Sequence, residues 1–395
     1  MYQDCVSPHQ APLARELVTM VGADNFRYVY RDKAQSERVG LGWTMDGAAK
    51  WFVHIGTNAG EAKSLVEDAD CLLTMFRDVE LIKRRHAKGL KTFVQTERWF
   101  KPKVGILRML SPSYRCMAKE FVRLMDNGDV VYLPIGIHAA RDMARLCGLM
   151  HGDWRCLFCA PRLEFERKPG GKIWVSERVK ECRRGGLSKK YCLDNMRMWG
   201  YFVEKGKGNS PTPPLPHSPT PPLSPSPTLR VLWVGRFLNL KRVDTIIRAV
   251  GKLSTCSTCS TRLNISLDIY GTGPEENQLK KMAAKYGDAI KFYPPVSIDE
   301  VRKLMHEHDV YVMASNAYEG WGAVVSEALE EGMNVIGTYE AGASTTMLPD
   351  ARLFRSGDYK ALATLLTMEC NSKLPLCLVG DWTAAKAVES LLELY

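Results

Sequence analysis

A regular alternation of apolar runs and helix-like segments fills the chain from residue 229 onward and constrains the fold more than any other feature. The strand-like runs are LRVLWVG, NISLDIYG, AIKFYP, DVYVMAS and NVIGT, and helix-like segments such as VDTIIRAVGKL and IDEVRKLMHEH separate them. Strands that alternate with helices of this length predict right-handed βαβ units. They therefore predict a parallel sheet that is covered on both faces.

The first half of the chain shows the same alternation less clearly. Its strand candidates are ADCLLTMF, LKTFVQT and GDVVYLP, and the opening segment offers only a short apolar run. A length of 395 residues also exceeds what a single core usually supports. We therefore expect an α/β protein with two Rossmann-like domains facing a central cleft, because ligands of this architecture bind at the carboxyl ends of the strands.

A proline-saturated tract separates the two halves. The segment SPTPPLPHSPTPPLSPSPT is uncharged and contains the unit Ser-Pro-Thr-Pro-Pro-Leu twice. Such a tract favours extended polyproline II and is typical of an exposed, semi-rigid linker. We therefore predict an N-terminal domain at 1–209, a linker at 210–228, a C-terminal domain at 229–380 and a terminal helix at 381–395.

The positive charge of the chain is concentrated in its first half. Residues 1–209 contain 36 Lys and Arg against 24 Asp and Glu, and the remainder contains 18 against 20. A solvated surface explains this, and so does a basic surface that meets an anionic acceptor or anionic lipid head groups. No nucleic-acid-binding motif accompanies the charge, so no nucleic-acid partner is expected.

Targeting and metal signals are weak. No apolar run approaches the roughly 18 residues of a membrane span, and the start has no basic-then-apolar leader pattern. We expect a cytoplasmic protein, with peripheral membrane contact left open. The two CxxC pairs, at Cys156 and Cys256, lie too far apart for a zinc ribbon, and we expect no metal.

The loop after the first strand of the second half is GRFLNLKR. Gly235 permits a sharp turn there, and Arg236 and Lys241 stand near its two ends. An arginine fork and a lysine point charge close to a helix N-terminus suit a pyrophosphate. Taken alone, the loop is equally compatible with two solvated cations.

The loop after the next strand is YGTGPEE. Gly271 and Gly273 indicate a close approach of the backbone to a neighbour or a ligand. The G-x-G-x-x-G dinucleotide fingerprint fails, because Glu276 occupies the place of the third glycine. This departure disfavours a nicotinamide-dependent enzyme.

The segment NAYEGWGAVVSEALEEG follows the fourth strand-like run. Its turn is formed by Gly320, Trp321 and Gly322, and it leaves backbone N–H groups at the start of a helix, where anions bind. Two carboxylates, Glu319 and Glu327, stand on either side of the turn.

A nucleotide-sugar has a use for both carboxylates, because its diphosphate lies between two groups rich in hydroxyls. Carboxylates accept hydrogen bonds from vicinal hydroxyls. We therefore expect Glu327 to hold the ribose and Glu319 the transferred sugar, with Arg236 and Lys241 at the diphosphate between them. Generic helix acids remain the alternative for either glutamate taken singly.

The ordered set VGRFLNLKRVDTIIRAV, YGTGPEENQL, DVYVMAS and EGWGAVVSEALEEGMNVIGT resembles the C-terminal domain of retaining glycosyltransferases of family four, which have the GT-B fold. The resemblance covers residue 229 to about residue 348. It implies a metal-independent enzyme that moves a hexose from a nucleoside-diphosphate sugar to a glycan or lipid-linked acceptor with retention. The sugar nucleotide is then a co-substrate, and no cofactor is implied.

The resemblance also implies roles for individual residues. Arg236 and Lys241 would stabilise the charge of the leaving diphosphate, and Glu319 would act with them as the third catalytic residue. The chain departs from the family pattern at Ala314, where proline is usual, and at Trp321, where phenylalanine is usual.

The first half is only distantly similar to such enzymes. Glu97, Arg98 and His138 follow strand candidates, so each is a candidate for contact with the donor sugar or the acceptor. Salt bridges and a helix-capping histidine account for them equally well.

Two further functions remain open from the sequence. A degenerate family member would bind a nucleotide-sugar without turnover. A nucleotide-sugar epimerase of the same two-domain shape would isomerise the sugar without an acceptor.

Overall fold

The computed structural model describes eleven stretches of the chain: 1–32, 50–57, 59–75, 78–102, 104–125, 127–157, 162–175, 193–204, 228–255, 263–377 and 379–395. These residues form two compact units. The first is built from the described residues up to Glu204 together with Gly380–Tyr395, and the second from those between residues 228 and 379. The predicted proline-rich linker at 210–228 lies outside the described residues except for Thr228.

The first unit contains a six-stranded parallel sheet. Its strands are β1 (Tyr2–Cys5), β2 (Tyr28–Asp32), β3 (Phe52–His54), β4 (Cys71–Met75), β5 (Lys91–Thr96) and β6 (Val130–Pro134). Its helices are α1 (Ala11–Val21), α2 (Ala59–Asp68), α3 (Val79–Ala87), α4 (Pro112–Met125) and α5 (Ile137–Met150). A small antiparallel hairpin is formed by β7 (Leu163–Phe165) and β8 (Ile173–Val175). The six strands lie in the order β3-β2-β1-β4-β5-β6, which is that of a Rossmann fold.

The short opening segment forms the central strand of this sheet. Tyr2 pairs with Val29 of β2 on one side and with Thr74 of β4 on the other. Gln3 is buried, and its Nε2 donates to Oε1 of Gln95 on β5 at 3.2 Å. The hydrogen bond gives the buried Gln3 amide a partner, and the segment forms a strand without the apolar run that usually marks one.

The last helix of the chain belongs to the first unit. It is α12 (Ala384–Leu394), and it packs against α1. Thr383 caps its N-terminus by accepting a hydrogen bond from the amide of Lys386 at 3.3 Å. The hydroxyl of Ser390 donates to the carbonyl of Pro169 at 2.9 Å. The C-terminus of the chain thus returns to complete the domain that begins it.

The second unit repeats the architecture. Its strands are β9 (Leu229–Arg236), β10 (Ile265–Thr272), β11 (Ile290–Tyr293), β12 (Val310–Met313), β13 (Asn334–Thr338) and β14 (Leu353–Phe354). Its helices are α6 (Val243–Thr255), α7 (Glu276–Ala283), α8 (Ile298–Glu307), α9 (Val324–Glu330), α10 (Gly342–Met347) and α11 (Tyr359–Cys370). All strands are parallel, in the order β11-β10-β9-β12-β13-β14. The predicted fold class, an α/β protein with two Rossmann-like domains, is confirmed.

Burial along the strands explains why the second half was the easier to predict. Every residue of β12 is buried, as expected for a central parallel strand that is covered on both faces. In β10 buried and half-buried residues alternate, which is the two-residue period of a strand.

Among the described helices, none combines the length and the apolar character that a membrane span requires.

Candidate functional site

The order of the strands in the second unit reverses between β9 and β12. In open parallel sheets ligands bind at this switch point, beyond the carboxyl ends of the strands. Lys241 follows β9 and Glu319 follows β12, 78 residues further along the chain, yet Lys241 Nζ lies 2.6 Å from Glu319 Oε2. The lysine side chain is 24% exposed and that of the glutamate 13%, so this ion pair is reachable from solvent yet largely enclosed.

The loop that carries Lys241 is held by its neighbours. After β9 the chain forms a short 3-10 turn, Asn239–Lys241. The side-chain amide of Asn239 donates to Glu275 Oε1, in the loop after β10, at 3.1 Å. The carbonyl of Leu240 accepts from the amide of Asn316, in the loop after β12, at 2.8 Å. These contacts fix the lysine between the two loops that flank the switch point.

Three glycines allow the ends of β9 and β10 and the segments that follow them to lie close together. Gly271 pairs in register with Gly235, and a Cβ on Gly271 would lie 1.8 Å from the carbonyl oxygen of Gly235. A Cβ on Gly273 would lie 2.7 Å from the amide nitrogen of Phe237. The expectation that Gly235 forms a sharp turn is wrong, because this residue lies inside β9. The close approach at Gly271 and Gly273 is between two segments of the protein itself.

The turn before α9 is open on one side and packed on the other. A Cβ on Gly320 would meet no atom within 4 Å. Gly322 has a φ of +85°, and a Cβ there would lie 2.6 Å from Met313 Cε. The carbonyls of Gly320 and Trp321 accept hydrogen bonds from the amides of Gly342 and Ala343, at 3.1 and 2.8 Å. The loop after β13 thereby holds the turn in place.

The side chain of Trp321 points into the protein. It is 4% exposed, and its Nε1 donates to the hydroxyl of Ser326 at 3.1 Å. Only the main chain of this residue is therefore placed to meet a ligand, and the indole stabilises the turn.

The main-chain amides at the start of α9 are available for an anion. Ala323 precedes the seven-residue helix, and no side chain caps the helix N-terminus. Within the described part of the chain, the amides of Gly322 and Ala323 donate no main-chain hydrogen bond. Unpaired amides of this kind bind phosphate and carboxylate groups.

The negative charges of Glu319 and Glu327 both affect the pKa of one buried phenol. Tyr311 on β12 is 1% exposed, and its hydroxyl donates to the carbonyl of Val234 at 3.3 Å. Burial, followed by the negative charges of Glu319 and Glu327, raises the pKa of Tyr311 far above its ordinary value. Both carboxylates therefore lie within electrostatic reach of Tyr311.

Arg236 is the last residue of β9. Its side chain is exposed, and no other described residue forms an ion pair with it. It is thus a cation at the carboxyl edge of the sheet with its guanidinium available.

The candidate residues of the first unit are in different surroundings. Arg98 Nε lies 3.3 Å from Asp142 Oδ2, and the same oxygen accepts from the amide of Phe100 at 3.0 Å. Burial raises the pKa of Asp142. Glu97 is exposed and lies 3.9 Å from Lys101. The structure thus gives Arg98 a structural partner on α5 that the sequence did not indicate.

His138 is the second residue of α5 and is half-buried. It follows β6 at the carboxyl edge of the first sheet.

The described residues contain no cluster of three or more His, Cys, Asp or Glu that could hold a metal ion.

Two residues near the site were missed by the sequence reasoning. Gly342 donates its amide to the Gly320 carbonyl, and a Cβ there would lie 2.8 Å from that oxygen. Arg242 adopts a left-handed conformation with a φ of +49° and makes two hydrogen bonds with the carboxylate of Asp244, at 2.9 and 3.0 Å. A glycine four residues after NVIGT, at the start of a helix, was the available signal for the first, and none marked the second.

Part of the chain matches a known protein family. Residues 221–368, less than half of the chain, match the family described as glycosyl transferases group 1. No curated protein matches the chain. The match and the fold support a glycosyltransferase, in keeping with the resemblance stated from the sequence.

Solved structures with a similar fold are glycosyltransferases of the GT-B class. The lipopolysaccharide outer core galactosyltransferase WaaB has a TM-score of 0.57 at 13% identity, covering 100% of this chain and 97% of its own. A trehalose-6-phosphate synthase has a TM-score of 0.54 at 11% sequence identity, and the match covers 100% of this chain and 95% of that protein's chain. Anabaena HepE in complex with UDP has a TM-score of 0.53 at 12% identity, and the match covers 100% of this chain and 93% of that chain. At these identities the likeness shows the fold alone.

Proposed function

We propose that this chain transfers a hexose from a nucleoside-diphosphate sugar to a glycan or lipid-linked acceptor with retention of the anomeric configuration and without a metal ion. The observation that carries the proposal is the contact of Lys241 with Glu319 across the switch point. This contact joins a cation from the loop after β9 to a carboxylate from the loop after β12, and we infer that the amides of Gly322 and Ala323 serve the same ligand.

The electrostatics of the site fit the departure of a diphosphate. In the proposed reaction the bond between the anomeric carbon and the β-phosphate oxygen breaks. The acceptor oxygen bonds to the same face of that carbon, and its proton passes to the leaving phosphate. Lys241, Arg236 and the amides before α9 would stabilise the negative charge that develops on the diphosphate. Such a front-face reaction needs no nucleophile from the protein.

The ion pair also gives the site a way to respond to its donor. In this structure Lys241 forms an ion pair with Glu319. A diphosphate bound at the lysine competes with the carboxylate for the same ammonium group, and the carboxylate is then free to accept hydrogen bonds from sugar hydroxyls. Glu327 would hold the ribose.

The experiment is a melting-temperature screen against UDP, GDP, ADP and their sugars. A ligand at a hundred times its dissociation constant adds about 2.7 kcal/mol to the free energy of unfolding, which is a rise of roughly 5–10 °C for a domain of this size. We expect one nucleotide to produce this shift. We expect Arg236→Ala to lose most of it while its melting temperature without ligand stays unchanged, because the side chain is exposed.

Arg248→Ala is the matched control, because Arg248 is a half-exposed arginine on α6 with only a 3.9 Å contact to Asp244. It should keep the full shift. No shift with any nucleotide would contradict the proposal. A shift without release of nucleoside diphosphate in the presence of sugar donors would support a binding protein without turnover, and sugar isomerisation without an acceptor would support an epimerase.

A further inference from the structure

Three large apolar side chains lie exposed within seven residues of the first unit. Val104 is 47% exposed, Leu107 62% and Leu110 74%. Such clusters mark sites of contact with other molecules more often than isolated exposed residues do.

The segment that carries these side chains has charge of one sign. The stretch RWFKPKVGILRMLSPSYRCMAK, residues 98–119, contains six Lys and Arg and no Asp or Glu. Lys101, Arg115 and Lys119 are exposed. Acidic residues return only at its two ends, with Glu97 and Glu120. We call the described residues 101–119 the basic-apolar surface.

This surface is built on a fixed support. The 3-10 helix Gly105–Leu110 follows β5 and leads into α4. Met109 is buried in the unit, and the hydroxyl of Tyr114 donates to the carbonyl of Trp99 at 3.2 Å. Because one side of the segment is anchored, the exposed leucines are held outward and are not the tips of an unpacked loop.

We propose that the basic-apolar surface docks on an anionic lipid bilayer, with Leu107 and Leu110 entering the head-group region and the basic side chains contacting lipid phosphates. Apolar side chains flanked by Lys and Arg are the pattern that binds such interfaces. A second copy of this chain is the less favourable occupant, because a two-fold contact places each basic patch against itself. The inference does not depend on the proposed transfer reaction.

The test is co-sedimentation of the full chain with vesicles, without nucleotide. We expect binding to phosphatidylcholine mixed with phosphatidylglycerol, little binding to phosphatidylcholine alone, and weaker binding at high salt. The double variant Leu107→Ser/Leu110→Ser should lower the partition coefficient at least about tenfold. The double variant Arg115→Gln/Lys119→Gln should lower it about 25-fold, from roughly fivefold per charge near an anionic surface.

Matched controls separate this surface from general effects. Leu376→Ser removes an equally exposed leucine, at 69%, from the second unit, and Lys281→Gln/Lys285→Gln removes two exposed lysines there. Both should bind vesicles like the parent chain. Equal binding to neutral and anionic vesicles, or parent-like binding by the leucine variant, would overturn the proposal. A second outcome would also overturn it: the parent chain forms a dimer in sedimentation equilibrium and does not bind vesicles, and the leucine variant is a monomer.

The nucleotide-induced rise in melting temperature should be the same in the surface variants as in the parent chain. A failure of vesicle binding with that rise intact therefore refutes only the docking surface. A missing rise with intact vesicle binding refutes only the proposed function.

Discussion

Replacing Lys241 with methionine is expected to lower the rate of sugar transfer by about 100- to 1,000-fold, the range found when one preorganised charge-stabilising donor is removed from an enzyme site. The ammonium group is the best-enclosed cation at the switch point and lies 2.6 Å from Glu319. Methionine keeps much of the side-chain volume, so the main change is the lost charge. The measurement is release of nucleoside diphosphate from the donor identified by the melting screen.

Lys280→Met is the matched control for this substitution. Lys280 lies 2.7 Å from Glu276 on α7, so the control removes an ion pair of similar length from the surface of the same unit. It should leave the rate unchanged. A Lys241→Met variant that transfers sugar at the parent rate would refute the role of this lysine, and Lys241→Arg should recover only part of the rate, because a guanidinium does not reproduce the point charge of an ammonium.

Gly271→Ala is expected to destabilise the second unit by about 3 kcal/mol. The new methyl group would lie 1.8 Å from the carbonyl oxygen of Gly235, and two paired strands would have to separate to admit it. The φ of +148° at Gly271 adds strain for any residue with a Cβ. The effect is measured as the free energy of unfolding in urea.

Gly320→Ala provides the comparison, because a Cβ at Gly320 meets no atom within 4 Å. Its unfolding free energy should stay within about 0.5 kcal/mol of that of the parent. Equal stabilities of the two variants would show that the strands at Gly235 and Gly271 are not as close as described.

Most of the second unit could be predicted from its sequence, because its strands are buried on a regular pattern and the helices between them have ordinary lengths. The five strand-like runs became β9–β13, while the helices α10 and α11 and the two-residue β14 were missed. Lys241 and Glu319 were expected at one ligand, and the structure brings them into contact. The order of strands in a parallel sheet determines which loops lie next to each other. A predicted strand order therefore also predicts which loop residues meet.

The first unit was harder at β1, which does not carry the usual apolar signal. β1 contains a buried glutamine that donates to Gln95, and β2 and β3 were not recognised. The partner of Arg98 proved to be Asp142, 44 residues away on α5, and local sequence does not specify such a pairing. Likewise, Gly235 lies inside β9, where it pairs with Gly271, which comes 36 positions later in the chain. Local sequence does not indicate this pairing either.

We propose that cations and amides at the switch point of the second unit hold a diphosphate between two hydroxyl-binding acids. The most direct test of this proposal is a crystal structure with the sugar nucleotide that raises the melting temperature. We expect the diphosphate within hydrogen-bonding distance of Lys241 Nζ and of the amides of Gly322 and Ala323. Glu327 should contact the ribose, and Glu319 should have left the lysine for the sugar. A nucleotide bound elsewhere, with both glutamates turned to solvent, would contradict the account.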